Sequence, residues 1–195
     1  MDSKFKLIID SFGSDRFKFH EPLKNYTALN SGGEASVFFI AFTTSELIKI
    51  IKMCRELKIP CFLFGTGSKI MISEIGFNGL VIKNRTKNIQ TVSVKGKVSR
   101  LGIGVEEALI EVDSGVSMNK FAESLKAQNL SSLSFKDTPG SIGGNLFLNL
   151  SLQIKAKSIK VLTSDSEVEV IGPADLRSRL HIILSAVFNI KAKDL

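Results

Sequence analysis

The chain has 195 residues but no tryptophan, only one tyrosine, two cysteines and two histidines. Base-stacking rings of the Tyr and Trp type are therefore scarce, and the 26 Lys and Arg residues are scattered along the sequence. A nucleic-acid partner is not expected from that pattern. Cys54 and Cys61 match neither a metal-ligand spacing nor a Cys-x-x-Cys redox motif, and His20 and His181 add no recognisable ligand set. No metal is expected, and both cysteines read as buried thiols. No apolar run approaches the ~20 residues that a membrane-crossing helix needs. The opening Met1-Asp2-Ser3-Lys4 lacks the basic-then-apolar pattern of an export signal, so a cytoplasmic protein without a membrane partner is expected.

What is present is the composition of a globular protein, 44% hydrophobic and 23% charged, with a net charge of +7. The length allows one large domain or two small lobes. A modest positive field suits a phosphorylated small molecule.

The first two dozen residues, with Phe5, Phe12, Phe17 and Phe19, read as a helix plus an arm. Val37 to Ala41 reads as a strand. Thr43 and Thr44 are N-cap candidates, with Glu46 in the first turn and Leu47, Ile48, Ile51, Cys54 and Leu57 along one helix face before Pro60. Strands are expected at Cys61 to Phe64 and Leu80 to Ile82, which makes a βαβ unit. From Ile89 the pattern changes to a hairpin of short strands turning at Lys95-Gly96-Lys97, with its second arm at Val98 to Ile103, then a separate strand at Leu109 to Val112. Ser117 is placed to cap a helix whose face carries Phe121, Leu125 and Leu130, with Ala122 between. Further strands are expected at Ile159 to Leu162, Val168 to Ile171 and Ile182 to Phe188. The composition shift divides the chain into lobes 1–88 and 89–195.

Two glycine loops carry the chemistry. Leu63-Phe64-Gly65-Thr66-Gly67-Ser68 runs from an apolar strand into small residues, where φ > 0 and successive bare N–H groups can form an anion-binding concavity. Thr138-Pro139-Gly140-Ser141-Ile142-Gly143-Gly144 repeats that chemistry, and two amide-rich loops suit a ligand with two phosphates. The first loop is neither a P-loop nor the GxGxxG fingerprint, since a GK[ST] ending is absent and Ile70 replaces the third glycine. Structural turns and close backbone packing are the competing readings of both loops.

The wording of these segments resembles the MurB family, the UDP-N-acetylenolpyruvoylglucosamine reductases of peptidoglycan synthesis. Asn25-Tyr26-Thr27 followed by Gly32-Gly33-Glu34-Ala35 is similar to the family's opening signature. Gly65 to Phe77, GTGSKIMISEIGF, resembles its flavin loop, usually GGGSNLLVSDxGF. Gly115-Val116-Ser117, then Pro139 to Gly144 with Asn149, is similar to its PGTVGGAxxxNAG block. Ile183 to Phe188 resembles the strand that closes its second domain.

The resemblance implies an α+β, two-lobed FAD-binding fold of the vanillyl-alcohol-oxidase type, each lobe a mixed sheet with helices, and non-covalent FAD extended between them. Gly65, Thr66, Gly67, Ser68, Lys69 and Ile70 would line the pyrophosphate, and Pro139, Gly140, Ser141, Gly143, Gly144 and Asn149 would approach from the second lobe. The family's reaction passes hydride from NADPH to FAD and on to an enolpyruvyl UDP-sugar. In that reaction an Arg and a Glu polarise the substrate carboxylate and a Ser donates a proton. Arg177, in Asp175-Leu176-Arg177-Ser178-Arg179, is the candidate Arg, with a surface turn as the competing reading. Lys69 stands where the family has Asn, Asn145 where it has Ala, and Leu150 to Ile154 replace an Ala-Gly-Ala-Tyr-Gly run. The Ser and Glu belong to a third domain beyond the closing strand. Since the sequence stops at Leu195, that domain is expected to be missing, and loss of a general acid costs ~10²–10⁴-fold in rate. Three functions stay open on this reading: a MurB-type reductase, a non-catalytic FAD-binding remnant, and a phosphate- or nucleotide-binding module.

Overall fold

A computed structural model describes residues 3–99, 102–132, 135–177 and 180–193. The chain divides into two compact units, Met1–Thr86 and Lys87–Leu195.

In the first unit, helix α1 (Ser3–Phe12) leads to strand β1 (Phe17–Pro22), where the sequence suggested only an arm. Strand β2 (Glu34–Ala41), helix α2 (Thr44–Glu56), β3 (Cys61–Phe64) and β4 (Phe77–Asn84) follow. The sheet order is β1-β2-β4-β3, with β1 antiparallel to β2 and the other neighbours parallel. The βαβ unit therefore leaves a gap between its two strands, and β4 fills it. Because β3 and β4 are adjacent and parallel, the chain must travel back along the sheet between them. It does so without a helix, through the glycine loop and Lys69 to Gly76.

Strand β2 is buried on both faces, as a central strand should be. Phe39 meets Phe12 of α1 and Phe17 of β1 on one side, at 5.0 Å each. Leu23, Ala35, Phe38, Phe64 and Val81 form the other cluster, covered by Tyr26, Ile70, Ile72 and Phe77. A register shift between Ala35 and Val37 lets Ala35 join Phe38 despite the alternation of strand side chains.

The second unit contains β5 (Ile89–Ser99), β6 (Gly102–Asp113), α3 (Met118–Ala127), α4 (Ile142–Leu148), α5 (Leu150–Lys155), β7 (Ala156–Leu162), β8 (Val168–Ile171) and β9 (Ile182–Lys191). Its sheet, β5-β6-β9-β7-β8, is antiparallel at every pairing. The expectation of a mixed sheet thus holds for the first unit and not for the second, where no strand–helix–strand crossover joins neighbours. Lys95-Gly96-Lys97 is strand rather than turn. The ladder runs through it to Ser99 opposite Gly102, and a register irregularity between Lys95 and Gly96 shows that the glycine marks a bulge. The expected arm at Val98 to Ile103 and the strand at Leu109 to Val112 are accordingly parts of one hairpin. Arg100 and Leu101 within that arm, and Ser178 and Arg179 beside Arg177, lie outside the described residues. Phe121 of α3, Phe135 and Phe188 of β9 pack edge-on and tilted at the centre of a core that includes Ile110, Ile142 and Leu146.

Candidate functional site

The first unit builds a site around the turn that follows β3. Gly67 has φ +78°, the left-handed region, as the sequence reading anticipated. A Cβ there would run into the Tyr26 carbonyl oxygen. The Ala28 amide donates to the Gly67 carbonyl at 3.2 Å, so the loop is laced to the Tyr26–Ala28 segment. Gly33 donates to the Ser73 carbonyl at 2.9 Å and Gly32 to the Glu74 carboxylate at 2.9 Å. The two signatures quoted from the sequence are therefore one interlocked layer over the Phe38 face of the sheet.

Among the described residues, the Thr66, Gly67 and Ser68 amides have no hydrogen-bond acceptor. Three successive bare donors around a positive-φ glycine are the kind of arrangement that can hold an anion. The Thr66 and Ser68 hydroxyls lie 3.0 Å apart at its rim. Lys69 is exposed, whereas Ile70 turns inward against the apolar cluster, which accounts for an aliphatic residue in place of a glycine.

Lys83, which the sequence reading passed over, belongs to this region. It pairs across the ladder with Phe64, and its ammonium lies 5.5 Å from the Phe64 ring and 4.6 Å from that of Tyr26. Burial, and then repulsion from Arg85, holds its pKa below the ordinary lysine value. A partly desolvated cation over two rings is a ready partner for an anion. The only hint in the sequence was a lysine at the end of an apolar strand.

The second unit uses its glycines differently. Ser141 caps α4, its hydroxyl accepting from the Gly144 amide at 3.3 Å. The Gly143 amide donates to the Ser114 carbonyl at 2.9 Å, and a Cβ at Gly143 would stand 2.9 Å from that of Ser114. Close packing therefore occupies two of the expected donors. Gly140, at φ +113°, and Ser141 retain amides without an acceptor among the described residues. Asn145 is fully buried, and its amide nitrogen donates to the carbonyls of Pro139 at 3.1 Å and Ser141 at 3.0 Å, fastening the Pro-Gly turn. Asn149 caps α5 by accepting from Leu152 at 3.3 Å. Arg177 lies on a turn, its guanidinium donating to the carbonyls of Ala174 at 2.8 Å and Leu176 at 3.2 Å, and its own amide to the His181 ring.

These loops lie in a stretch with a recognised ancestry, for the FAD binding domain profile matches residues 35–153. The chain belongs to the FAD binding domain family. Among curated relatives, it is 27% identical to the UDP-N-acetylenolpyruvoylglucosamine reductase of Syntrophomonas wolfei over 88% of this chain and 56% of the relative. It is 30% identical to that of Lactobacillus acidophilus over 87% of this chain and 58% of the relative. The MurB resemblance read from the motifs agrees with both. The chain thus spans a little over half the length of these relatives. Solved structures share the fold at low identity. A glucose dehydrogenase, Phl p 4.0202, superposes with a TM-score of 0.66 at 10% identity over 98% of this chain and 44% of that one. p-Cresol methylhydroxylase gives 0.59 at 14% identity over 99% and 44%. The FAD binding domain here is of the vanillyl-alcohol-oxidase type, α+β, as expected.

Proposed function

We propose that this chain binds FAD non-covalently and serves a MurB-like reductase, in which NADPH reduces an enolpyruvyl UDP-sugar to UDP-N-acetylmuramate in the cytoplasm. The observation that carries the reading is the run of acceptor-free amides at Thr66 to Ser68, inside a chain of the FAD binding domain family. Such amides cradle a diphosphate without needing a counter-cation, and Lys83 beside Phe64 adds charge. FAD, when bound, supplies the hydride chemistry.

The chain's own residues bind and orient. Gly65 to Ile70 hold the diphosphate, with Ile70 anchoring the loop to the apolar layer and Lys69 reaching from its exposed edge. Pro139, Gly140 and Ser141 present their turn to the coenzyme. Gly143 and Gly144 keep that turn in shape through the contacts to Ser114 and Ser141, and Asn149 caps α5 through Leu152. Arg177 is the cation offered to the substrate carboxylate, a charged acceptor that makes a stronger hydrogen bond than a carbonyl.

Titration of the purified chain with FAD, followed by a UDP-sugar-dependent NADPH oxidation assay, tests the proposal. Saturable flavin binding with substrate-dependent oxidation supports it in full. Flavin binding without turnover would reduce the chain to a coenzyme-holding domain. Failure to take up FAD would overturn it.

A further inference from the structure

The two cysteines, spaced too far apart for a redox motif in sequence, meet in space. Cys54 lies in the last turn of α2 and Cys61 opens β3. Between them the chain turns back on itself, the Ile59 amide donating to the Cys54 carbonyl at 2.8 Å. That turn brings the two thiols close enough to act on one another's protonation. Their surroundings differ sharply: Cys54 is buried at 1% exposure, while Cys61 is exposed on β3, the edge strand of its sheet. The sequence reading took both as buried thiols, and Cys61 corrects that expectation.

We propose that Cys54 and Cys61 form a hydroperoxide-reactive thiol pair, with Cys61 the attacking sulfur and Cys54 the resolving one. Interaction with the Cys54 thiol, opposed by burial and aided by the charge of Arg55, brings the Cys61 thiol down to about 7. The same interaction and burial push the Cys54 thiol up, which keeps it protonated until it is needed. Accessible thiolates poised beside a second cysteine are the sites that small oxidants select. The chemistry balances with one equivalent of hydrogen peroxide. The Cys61 thiolate attacks one peroxide oxygen and the O–O bond breaks. An S–O bond forms, and the displaced hydroxide takes a proton and leaves as water. The Cys54 sulfur, giving up its proton, then attacks Cys61, forming the S–S bond and releasing a second water. Two thiols are oxidised and one peroxide is reduced. β3 runs directly from Cys61 into Gly65, so the new bond would tie the helix end to the strand that carries the amide loop.

The proposal needs no coenzyme, and its test uses the reduced full chain. One equivalent of hydrogen peroxide is added, free thiols are blocked, and peptides are mapped without reduction. The expected result is an intramolecular Cys54–Cys61 cross-link with a mass loss of two hydrogens, reversed by dithiothreitol. Before oxidation, iodoacetamide should label the exposed Cys61 ahead of the buried Cys54 at pH 7. Cys54→Ser should leave a dimedone-trappable sulfenic acid on Cys61, and Cys61→Ser should leave Cys54 unmodified. Two free thiols after peroxide, a cross-link between chains, or preferential labelling of Cys54 would each overturn the proposal. The wild-type measurements decide it even if a variant fails to fold.

Discussion

On the proposed reading, Gly67 in the turn after β3 and Lys83 on β4 divide the work of holding an anion. At φ +78° a β-branched side chain is strained by about 1–2 kcal/mol, and here it would also strike the Tyr26 carbonyl. Gly67→Val should therefore unlace the turn from Tyr26–Ala28 and weaken FAD binding by at least ~10-fold, since each 1.4 kcal/mol is a factor of ten. Quenching of flavin fluorescence on titration measures this, and unchanged affinity would remove the loop from the site. Lys83→Met keeps the aliphatic stem against the Tyr26 and Phe64 rings and deletes the charge. A loss of about 10-fold in FAD affinity with an unchanged thermal midpoint is expected, because one charge-assisted contact is worth about 1.5–3 kcal/mol and part of it is screened. Equal affinity would leave Lys83 a packing residue only. The glycine half of this site was readable in the chain because φ > 0 has a compositional signature. The Tyr26 carbonyl and Lys83 were not, because a backbone acceptor has no residue type and cross-strand pairing is set by register.

At the scale of elements, α2 shows local chemistry that the sequence states openly. The Thr43 hydroxyl accepts from the Glu46 amide, and the Glu46 carboxylate accepts from the amides of Phe42 at 2.8 Å and Thr43 at 3.3 Å, closing a capping box. Arg16 adds a 2.8 Å ion pair to the same carboxylate. Burial opposes ionisation of Glu46, but the Arg16 hydrogen bond and the two amides outweigh it, so its pKa lies below the ordinary value. The stabilisation is then fully present above the unfolded-state pKa near ~4.3 and is lost as pH falls through the lower folded value. Glu46→Gln should cost about 1 kcal/mol at pH 7 and almost nothing at pH 2–3, as read from urea midpoints at the two pH values. A cost that does not shrink in acid would show that Glu46 acts by packing. The α4–α5 region is the converse case, where the sequence shows a glycine loop and no helix pattern. Gly143-Gly144 lower helix propensity there, and the helix exists because Ser141 caps it and Asn145 fastens the turn before it. Asn145→Ala removes a buried amide and strands the Pro139 carbonyl, while Ser141 keeps the backbone amide of residue 145, for an expected loss of about 1–3 kcal/mol by thermal melt and weaker FAD binding. Wild-type stability in that variant would refute the clamp.

For the molecule as a whole, the excess of 26 basic over 19 acidic residues and the supply of only two histidines constrain how a flavin is held. His20 stands on β1 and His181 on the Arg177 turn, so neither belongs to the amide loop. On the proposed non-covalent binding, attraction between a net charge of +7 and an anionic coenzyme acts through water rather than through a bond. Two consequences separate this from covalent attachment. Acid precipitation of the flavin-loaded chain should leave all of the flavin in the supernatant, and a coloured pellet would contradict the non-covalent assignment. Raising salt from 0.05 to 0.5 M shortens the Debye length from about 14 Å to about 4 Å, which screens the long-range field and leaves hydrogen bonds from the Thr66 to Ser68 amides largely intact. FAD affinity should fall only several-fold across that range, with most of the change in the association rate measured by stopped-flow fluorescence. A loss of 100-fold or more would instead mean that scattered surface lysines, and not the amide loop, hold the coenzyme.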